Sequence, residues 1–230
     1  MNIVILLAAG SGTRMKSNTS KQLMEINGLP LFMYSLKTFN ENKNIDAILV
    51  VTKKEDIELV KETVVIHHIT KLINVVEGGQ TRQESVYNGL NYLKDKIKGC
   101  DTVLIHDSAR PLVDNDIIVR NIEASQKYDA VETAIKATDT IIQSASGLNE
   151  GHLNRDTIYQ AQTPQTFKYS LILKAHEQAK EKNFQATDDA SLIISLGEEV
   201  HIVEGSKNNF KVTTSEDLKL LKALLKSDLD

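Results

Sequence analysis

Cysteine is nearly missing from this chain: Cys100 is the only one in 230 residues. No intramolecular disulfide can form, and a single thiol fits a reducing cytoplasm. A basic excess is missing too. Lys and Arg number 27 against 31 Asp and Glu, a formal net charge of −4. A nucleic-acid surface is therefore not expected, and any anionic ligand should be small and held locally. No apolar stretch approaches the roughly 20 residues of a membrane span. The first residues enter an aliphatic run without the basic segment and cleavage site of a secretory signal. Internal repeats, low-complexity tracts and long linkers are absent as well. These absences predict a soluble, cytoplasmic protein that binds neither nucleic acid nor membrane. With 41% hydrophobic and 25% charged residues, the chain can fill a sizeable core, and its length suits one large α/β domain.

What is present alternates. Ile3–Leu7, Ala47–Val51 and Val103–Ile105 are apolar runs that read as strands, the first buried on both faces, and Ile73–Val76 reads as another. Between and after them lie helical patterns: Phe32, Leu36 and Phe39; a stretch from about Glu55; Val86, Leu90 and Leu93; and Ile118 and Ile122 behind a capping Asp114. This order predicts a mostly parallel sheet covered by helices. Beyond Val131 the pattern changes. Thr138–Asn154 is polar, β-prone and without core periodicity, which suits a hairpin or arm leaving the main body. Helices are expected at Lys168–Lys180, Asp188–Leu196 and Ser215–Leu225, with a late strand at Val200–Val203.

Three polar segments follow the predicted strands. Leu7-Ala8-Ala9-Gly10-Ser11-Gly12-Thr13-Arg14-Met15 leaves the first, with Lys21 six residues further on. Its glycines let backbone N–H groups converge on phosphate oxygens, while Arg14 and Lys21 supply positive charge. Glu77-Gly78-Gly79-Gln80-Thr81-Arg82 leaves the third, and His106-Asp107-Ser108-Ala109-Arg110-Pro111 the fourth. In open parallel sheets the ligand crevice lies beyond the carboxyl ends of the strands, so the three segments should meet at one rim. Arg155 and Lys211 add cations in polar, loop-like contexts. Each cation alone is an ordinary solvated charge; their convergence carries the argument.

Two common nucleotide motifs do not fit. Met15 stands where the dinucleotide fingerprint needs its third glycine, and Val50-Val51-Thr52-Lys53 offers no acid after the second strand. No Gly-Lys-Ser/Thr completes a P-loop. Asp107 can hold a divalent cation, bond a ribose hydroxyl or simply cap its loop. His106 is either a base or a packed structural residue, and His67-His68 lacks a third ligand at metal-site spacing. Asp114-Asn115-Asp116 matches an acid-x-acid metal motif but sits at a helix start. No nucleophile or base announces itself. That fits a substrate carrying its own nucleophile, such as a phosphate monoester with a second pKa of about 6, which needs only orientation and charge shielding.

Together with Lys21-Gln22, Ser85, Asp139-Thr140, Gln162-Thr163-Pro164-Gln165, Thr187-Asp188-Asp189-Ala190-Ser191, Val203-Glu204-Gly205 and Lys211-Val212-Thr213, these segments form an ordered set. From Ile3 to about Leu221 it resembles the 2-C-methyl-D-erythritol 4-phosphate cytidylyltransferase family. The resemblance implies a Rossmann-like α/β fold, a mostly parallel sheet flanked by helices. A projecting β-arm at about 138–156 would exchange between the subunits of a homodimer. It implies CTP and Mg²⁺, attack of the substrate phosphate on the α-phosphorus, and release of pyrophosphate in non-mevalonate isoprenoid biosynthesis. Arg14, Lys21, Arg155 and Lys211 would be the catalytic cations. Ala8, Ala9, Gly10, Ser11, Gly12 and Thr13 would hold the triphosphate with Arg14 and Lys21. Gly79, Gln80, Arg82 and Ser85 would belong to the segment that reads cytosine. Asp107 would contact the ribose or the metal. Arg110, Thr140, Arg155, Thr187 and Lys211 would hold the polyol phosphate, Thr140 and Arg155 coming from the partner's arm.

Four positions depart from the family pattern. Ser20 replaces a proline, which would loosen the loop before Lys21. Gln80 stands where many members have aspartate, and Ser108 and Phe210 look like packing variants. Ribitol-5-phosphate cytidylyltransferases share much of the set, but the threonine-led Thr187–Ser191 segment favours methylerythritol. A catalytically silent nucleotide-binding module should have lost some of the four cations, and a dehydrogenase is disfavoured by Met15.

Overall fold

A computed structural model describes residues 1–10, 20–96 and 99–227. The expected triphosphate-loop residues Ser11, Gly12, Thr13 and Arg14 lie outside the described residues. Strand β1 (Asn2–Leu7) is followed by a 3-10 turn at Lys21–Leu23, a small hairpin of β2 (Glu25–Ile26) and β3 (Leu29–Pro30), and helix α1 (Leu31–Glu41). Then come β4 (Ala47–Thr52), α2 (Ile57–Ile66), β5 (Leu72–Glu77), α3 (Arg82–Lys96), β6 (Thr102–Asp107), α4 (Asn115–Ser125) and β7 (Ala130–Lys136). A second hairpin, β8 (Ile142–Gln143) and β9 (Gly151–His152), precedes β10 (Tyr159–Lys168). Helices α5 (Tyr169–Glu181) and α6 (Asp189–Ser195), strand β11 (His201–Glu204) and α7 (Ser215–Ser227) close the chain.

Seven strands form one sheet in the order β11-β7-β10-β6-β1-β4-β5. All neighbours run parallel except β10, which is antiparallel to both β6 and β7. The alternation of side chains along β1 explains the layering. Ile3, Ile5 and Leu7 face α3, α5 and α6, packing with Leu90, Leu173 and Ile193. Val4 and Leu6 face α1, α2 and α4, packing with Phe32, Val64 and Ile118. Because both faces are covered, β1 and β4 are aliphatic along nearly their whole length. A third cluster, Ile26, Leu31, Val212 and Leu221, seats α7 against the small hairpin. Asp114 caps α4 as expected, its Oδ1 accepting from the Ile117 N–H at 2.8 Å.

The sequence reading did not foresee β10. Its residues Gln162 to Phe167 are buried although most are polar. They are held by side-chain bonds: Thr166 Oγ1 donates to Asn121 Oδ1 at 2.9 Å, and Asn209 Nδ2 donates to Gln162 Oε1 at 3.1 Å. Pro164, which cannot donate to a ladder, sits where the register with β7 shifts between Ala161 and Gln165. The 138–154 stretch does leave the sheet as a hairpin, with Ile142, Leu148 and Leu153 exposed.

Candidate active site

The carboxyl ends of β1, β5 and β6 open into a cavity of about 290 Å³. Ala9, Gly10, Lys21, Gly79, Gln80, Arg82, Ser85, Asp107 and Lys211 line it, joined by Gln22, Thr81, Ala109 and Thr213. The three motif segments therefore meet at one rim, as the strand order requires. Ala8 does not share in this. Its N–H donates to the Val51 carbonyl at 2.7 Å and its side chain is buried in the core, so it extends the sheet. Two family departures acquire roles. Ser20 Oγ donates to Asp56 Oδ2 at 2.7 Å, tethering the loop that a proline would stiffen. Ser108 is more than a packing variant. Its buried Oγ lies 2.7 Å from the Leu7 carbonyl and 2.9 Å from Gln22 Oε1, joining β1, β6 and the 3-10 turn. Phe210 packs against the third core cluster, as expected of a packing variant.

The segment after β5 is built as a rigid entry to α3. Thr81 and Glu84 form a capping box: the Glu84 N–H donates to Thr81 Oγ1 at 3.1 Å, and Glu84 Oε2 accepts from the N–H groups of Gln80 at 2.6 Å and Thr81 at 3.3 Å. The Gly78 N–H donates to the Thr52 carbonyl at 2.7 Å, and the Gly79 N–H to Ser85 Oγ at 3.0 Å. Glycine is required at both positions. A Cβ on Gly78 would stand 2.8 Å from the Ala9 Cβ, and one on Gly79 would collide with the Glu84 side chain. The four N–H groups from Gly78 to Thr81 are thus satisfied by β4 and the first turn of α3. Ser85 braces it from below, since its hydroxyl also donates to the Thr81 carbonyl at 2.9 Å.

Behind this loop runs a chain of paired charges. Asp107 Oδ1 accepts from Arg82 Nε at 3.0 Å, and its Oδ2 from Lys211 Nζ at 2.6 Å. Arg82 reaches on to Asp189 Oδ2 at 2.7 Å, and Asp189 Oδ1 lies 3.0 Å from His176 Nε2. Burial works against charge on Asp107, yet Arg82 and Lys211 outweigh it and hold the carboxyl far below the usual range. Burial likewise opposes charge on Arg82, but Asp189 and Asp107 overcome it and keep the guanidinium protonated. Lys21, buried, donates from Nζ to the Val212 carbonyl at 2.6 Å.

His106 proves structural. Burial lowers its pKa to about 4, and it stays neutral. The Asp107 N–H donates to Thr163 Oγ1 at 3.1 Å; Thr163 Oγ1 lies 3.1 Å from His106 Nδ1, and His106 Nε2 lies 3.1 Å from the Arg110 carbonyl. This relay fixes the turn that carries Asp107 and Arg110. A second cavity of about 270 Å³ adjoins the first, lined by Arg82, Asp107, Arg110, Thr187, Asp188 and Lys211 among others. Arg110 is held there by the carbonyls of Asn209 at 2.8 Å and Ala161 at 3.1 Å. Thr140 and Arg155 are exposed on the arm and line neither cavity; Arg155 lies 3.4 Å from the Thr138 carbonyl. Thr163 and Asp189 belong to motifs that carry the family resemblance, but the sequence assigns neither a role, and nothing in it marks His176.

Among the described residues, no group of three or more His, Cys, Asp or Glu side chains is placed to hold a metal ion. Asp107 offers the cavity one carboxylate whose two oxygens are engaged by cations. These residues do not fit a resident metal. A Mg²⁺ arriving with a nucleotide draws its ligands mainly from phosphate and water. The described residues also contain no helix long and apolar enough to cross a membrane.

Known proteins match this chain over nearly its whole length. The family model for 2-C-methyl-D-erythritol 4-phosphate cytidylyltransferase matches residues 2–227. A relative of that name from Clostridium novyi is 42% identical over 228 residues, covering 98% of this chain and 97% of its own. Another from Clostridioides difficile is 40% identical, covering 98% and 94%. Among solved structures, a 4-diphosphocytidyl-2C-methyl-D-erythritol synthase from Anaerococcus prevotii superposes with a TM-score of 0.85 at 31% identity, covering 98% of this chain and 96% of that one. The chain therefore belongs to the 2-C-methyl-D-erythritol 4-phosphate cytidylyltransferase family and is a nucleotidyltransferase.

Proposed function

We propose that this protein transfers CMP from CTP to 2-C-methyl-D-erythritol 4-phosphate, releasing pyrophosphate, as one cytidylyltransferase domain. The observation that carries the reading is the convergence of Lys21, Arg82 and Lys211 on one cavity at the carboxyl rim of the sheet, beside a glycine-rich turn. The substrate phosphate is dianionic at neutral pH and needs no base, which agrees with a neutral, buried His106. Catalysis then consists of aligning two anions and neutralising charge that grows on the α-phosphoryl group. Lys21 does this from the triphosphate side, together with Arg14. Lys211, on the wall shared by both cavities, exchanges its Asp107 partner for the incoming phosphate, which Arg110 and Thr187 receive from the other side. Gly79, Gln80 and Ser85 frame the base, and Asp107 lies at the ribose. Mg²⁺ bound to CTP would supply charge shielding for the pyrophosphate, with phosphate and water as its main ligands.

The arm completes the site in a homodimer. Ile142, Leu148, Leu153 and Tyr159 are exposed apolar side chains on or beside it, a surface that suits burial against a second copy. Thr140 and Arg155 ride on the same segment, and there they would reach the partner's polyol phosphate. A cytoplasmic location agrees with the single cysteine. The test is pyrophosphate release with CTP and Mg²⁺, comparing methylerythritol phosphate with ribitol 5-phosphate. Strong preference for the first is expected; preference for the second, or activity with neither, would refute the reading.

A further inference from the structure

A buried ion pair is a poor source of stability, because desolvation offsets much of its attraction. The Asp189–Arg82 pair therefore needs another explanation. Asp189 is 1% exposed and is fixed from three sides: its N–H donates to Gln165 Oε1 at 3.2 Å, Oδ1 meets His176 Nε2 at 3.0 Å, and Oδ2 meets Arg82 at 2.7 Å. His176 is equally buried, and its Nδ1 has no hydrogen-bond partner among the described residues. The contact with Asp189 is thus the polar role of that imidazole. Arg82 in turn is shared between Asp189 and Asp107, and Asp107 holds Lys211. Removing Asp189 would leave Arg82 to close on Asp107 alone and compete there with Lys211.

We propose that Asp189, oriented by His176, is a positioning residue that holds Arg82 at the distance from which Asp107 can present Lys211 to the reacting phosphates. Neither Asp189 nor His176 lines the nucleotide cavity, so both act through Arg82. The inference rests on the proposed reaction for its kinetic consequences, but not for its geometric ones.

Two measurements decide it. The first needs no substrate. Hydrogen exchange at the Arg82 Nη1–H group that donates to Asp189, followed by ¹⁵N NMR, should be slow in the wild-type protein and at least about tenfold faster in Asp189→Asn and His176→Leu, as expected when a buried hydrogen bond is weakened by about 1.4 kcal/mol. His176→Gln, which keeps an N–H donor, should restore slow exchange. The second is kinetic. In Asp189→Asn, kcat should fall by about a hundredfold, while KM for the polyol phosphate changes little. A residue that merely supports the fold would lower the melting temperature and leave kcat of the folded fraction intact. Unchanged Arg82 exchange in both His176→Leu and Asp189→Asn would overturn the inference. If the wild-type protein is inactive with both polyol phosphates, the reaction fails, and the exchange measurement still decides the positioning.

Discussion

Replacing Glu132 by glutamine should remove a loss of stability that the wild-type protein suffers as pH rises. Glu132 lies on β7 opposite Gln165 of β10. The Gln165 amide nitrogen stands 2.8 Å from Glu132 Oε1 and 2.8 Å from Asp188 Oδ2, so two carboxyls share one amide. Burial, and then the neighbouring Asp188, push Glu132 from 4.5 up to about 7, against the opposing bond from Gln165. Asp188 is the member that keeps its charge. Burial opposes it, but Ser191 and Gln165 hydrogen-bond its oxygens and set its pKa below the usual value. Between these limits the folded state binds more protons than the unfolded one. The stability Glu132 contributes is therefore complete below pH 4.5 and is lost as pH rises through about 7.

A shift of that size corresponds to about 3 kcal/mol at 1.36 kcal/mol per unit. Glu132 is only partly buried, and solvent screening reduces the figure to about 1 kcal/mol. In a chain of this length that is about 2–4 °C in melting temperature. Glutamine reproduces the shape and bonding of the protonated acid, its amide donating to Asp188 and its carbonyl accepting from Gln165. Melting curves of both proteins from pH 4.5 to 8 provide the assay, since every other titrating group cancels in the difference. The variant's advantage should grow by about 2–4 °C across that range. A difference independent of pH, or one that shrinks as pH rises, would refute the argument.

Lys21→Ala should lower kcat by about 10²–10³-fold, the scale of one lost transition-state contact, and Arg155→Ala should be similarly poor while binding CTP normally. Mixing the two inactive proteins should restore about a quarter of wild-type activity, because half the dimers are mixed and each holds one intact site; no recovery would remove arm exchange from the mechanism. Gln80→Ala should leave the preference for CTP over UTP unchanged in competition assays, and a collapse of that preference would assign base discrimination to the Gln80 side chain.

Much of the sheet was legible because β1, β4 and β6 contain uninterrupted aliphatic runs and β5 a nearly continuous one. Strand β10 does not. Its Gln162-Thr163-Pro164-Gln165 core looks like a turn, and only tertiary partners make it a buried strand: Thr163 beside His106, Gln165 between Glu132 and Asp188, Asn209 on Gln162. The site shows the same division. Lys21, Arg82 and Asp107 could be named because polar segments after strands point to one rim, and Lys211 because it is a cation in a polar, loop-like context within the motif set. No role could be read for Asp189 or His176, since a carboxylate at a helix start and a histidine within a helix are ordinary surface patterns until burial is known. Asp107 reads as a metal or ribose contact from its place after a strand, and only the folded chain brings Arg82 and Lys211 onto its two oxygens.

The backbone chemistry of the loop after β5 bears on the one family departure that lies in the segment proposed to read the base. Gly78, Gly79, Gln80 and Thr81 have their N–H groups committed to Thr52, Ser85 and Glu84. What the main chain of this loop still has for a ligand is acceptor, not donor, capacity. A cytosine 4-amino group is a donor and suits carbonyl oxygens; the 4-oxo group of uracil is an acceptor and meets nothing complementary there. Discrimination of this kind would depend on the loop's conformation, which the capping box and the two glycines impose, and would not require the Gln80 side chain. Residue 80 contributes only its N–H to that box. Exchange of aspartate for glutamine there leaves every hydrogen bond that shapes the loop in place, so this chain can keep the base preference of a cytidylyltransferase while departing from the family at that position.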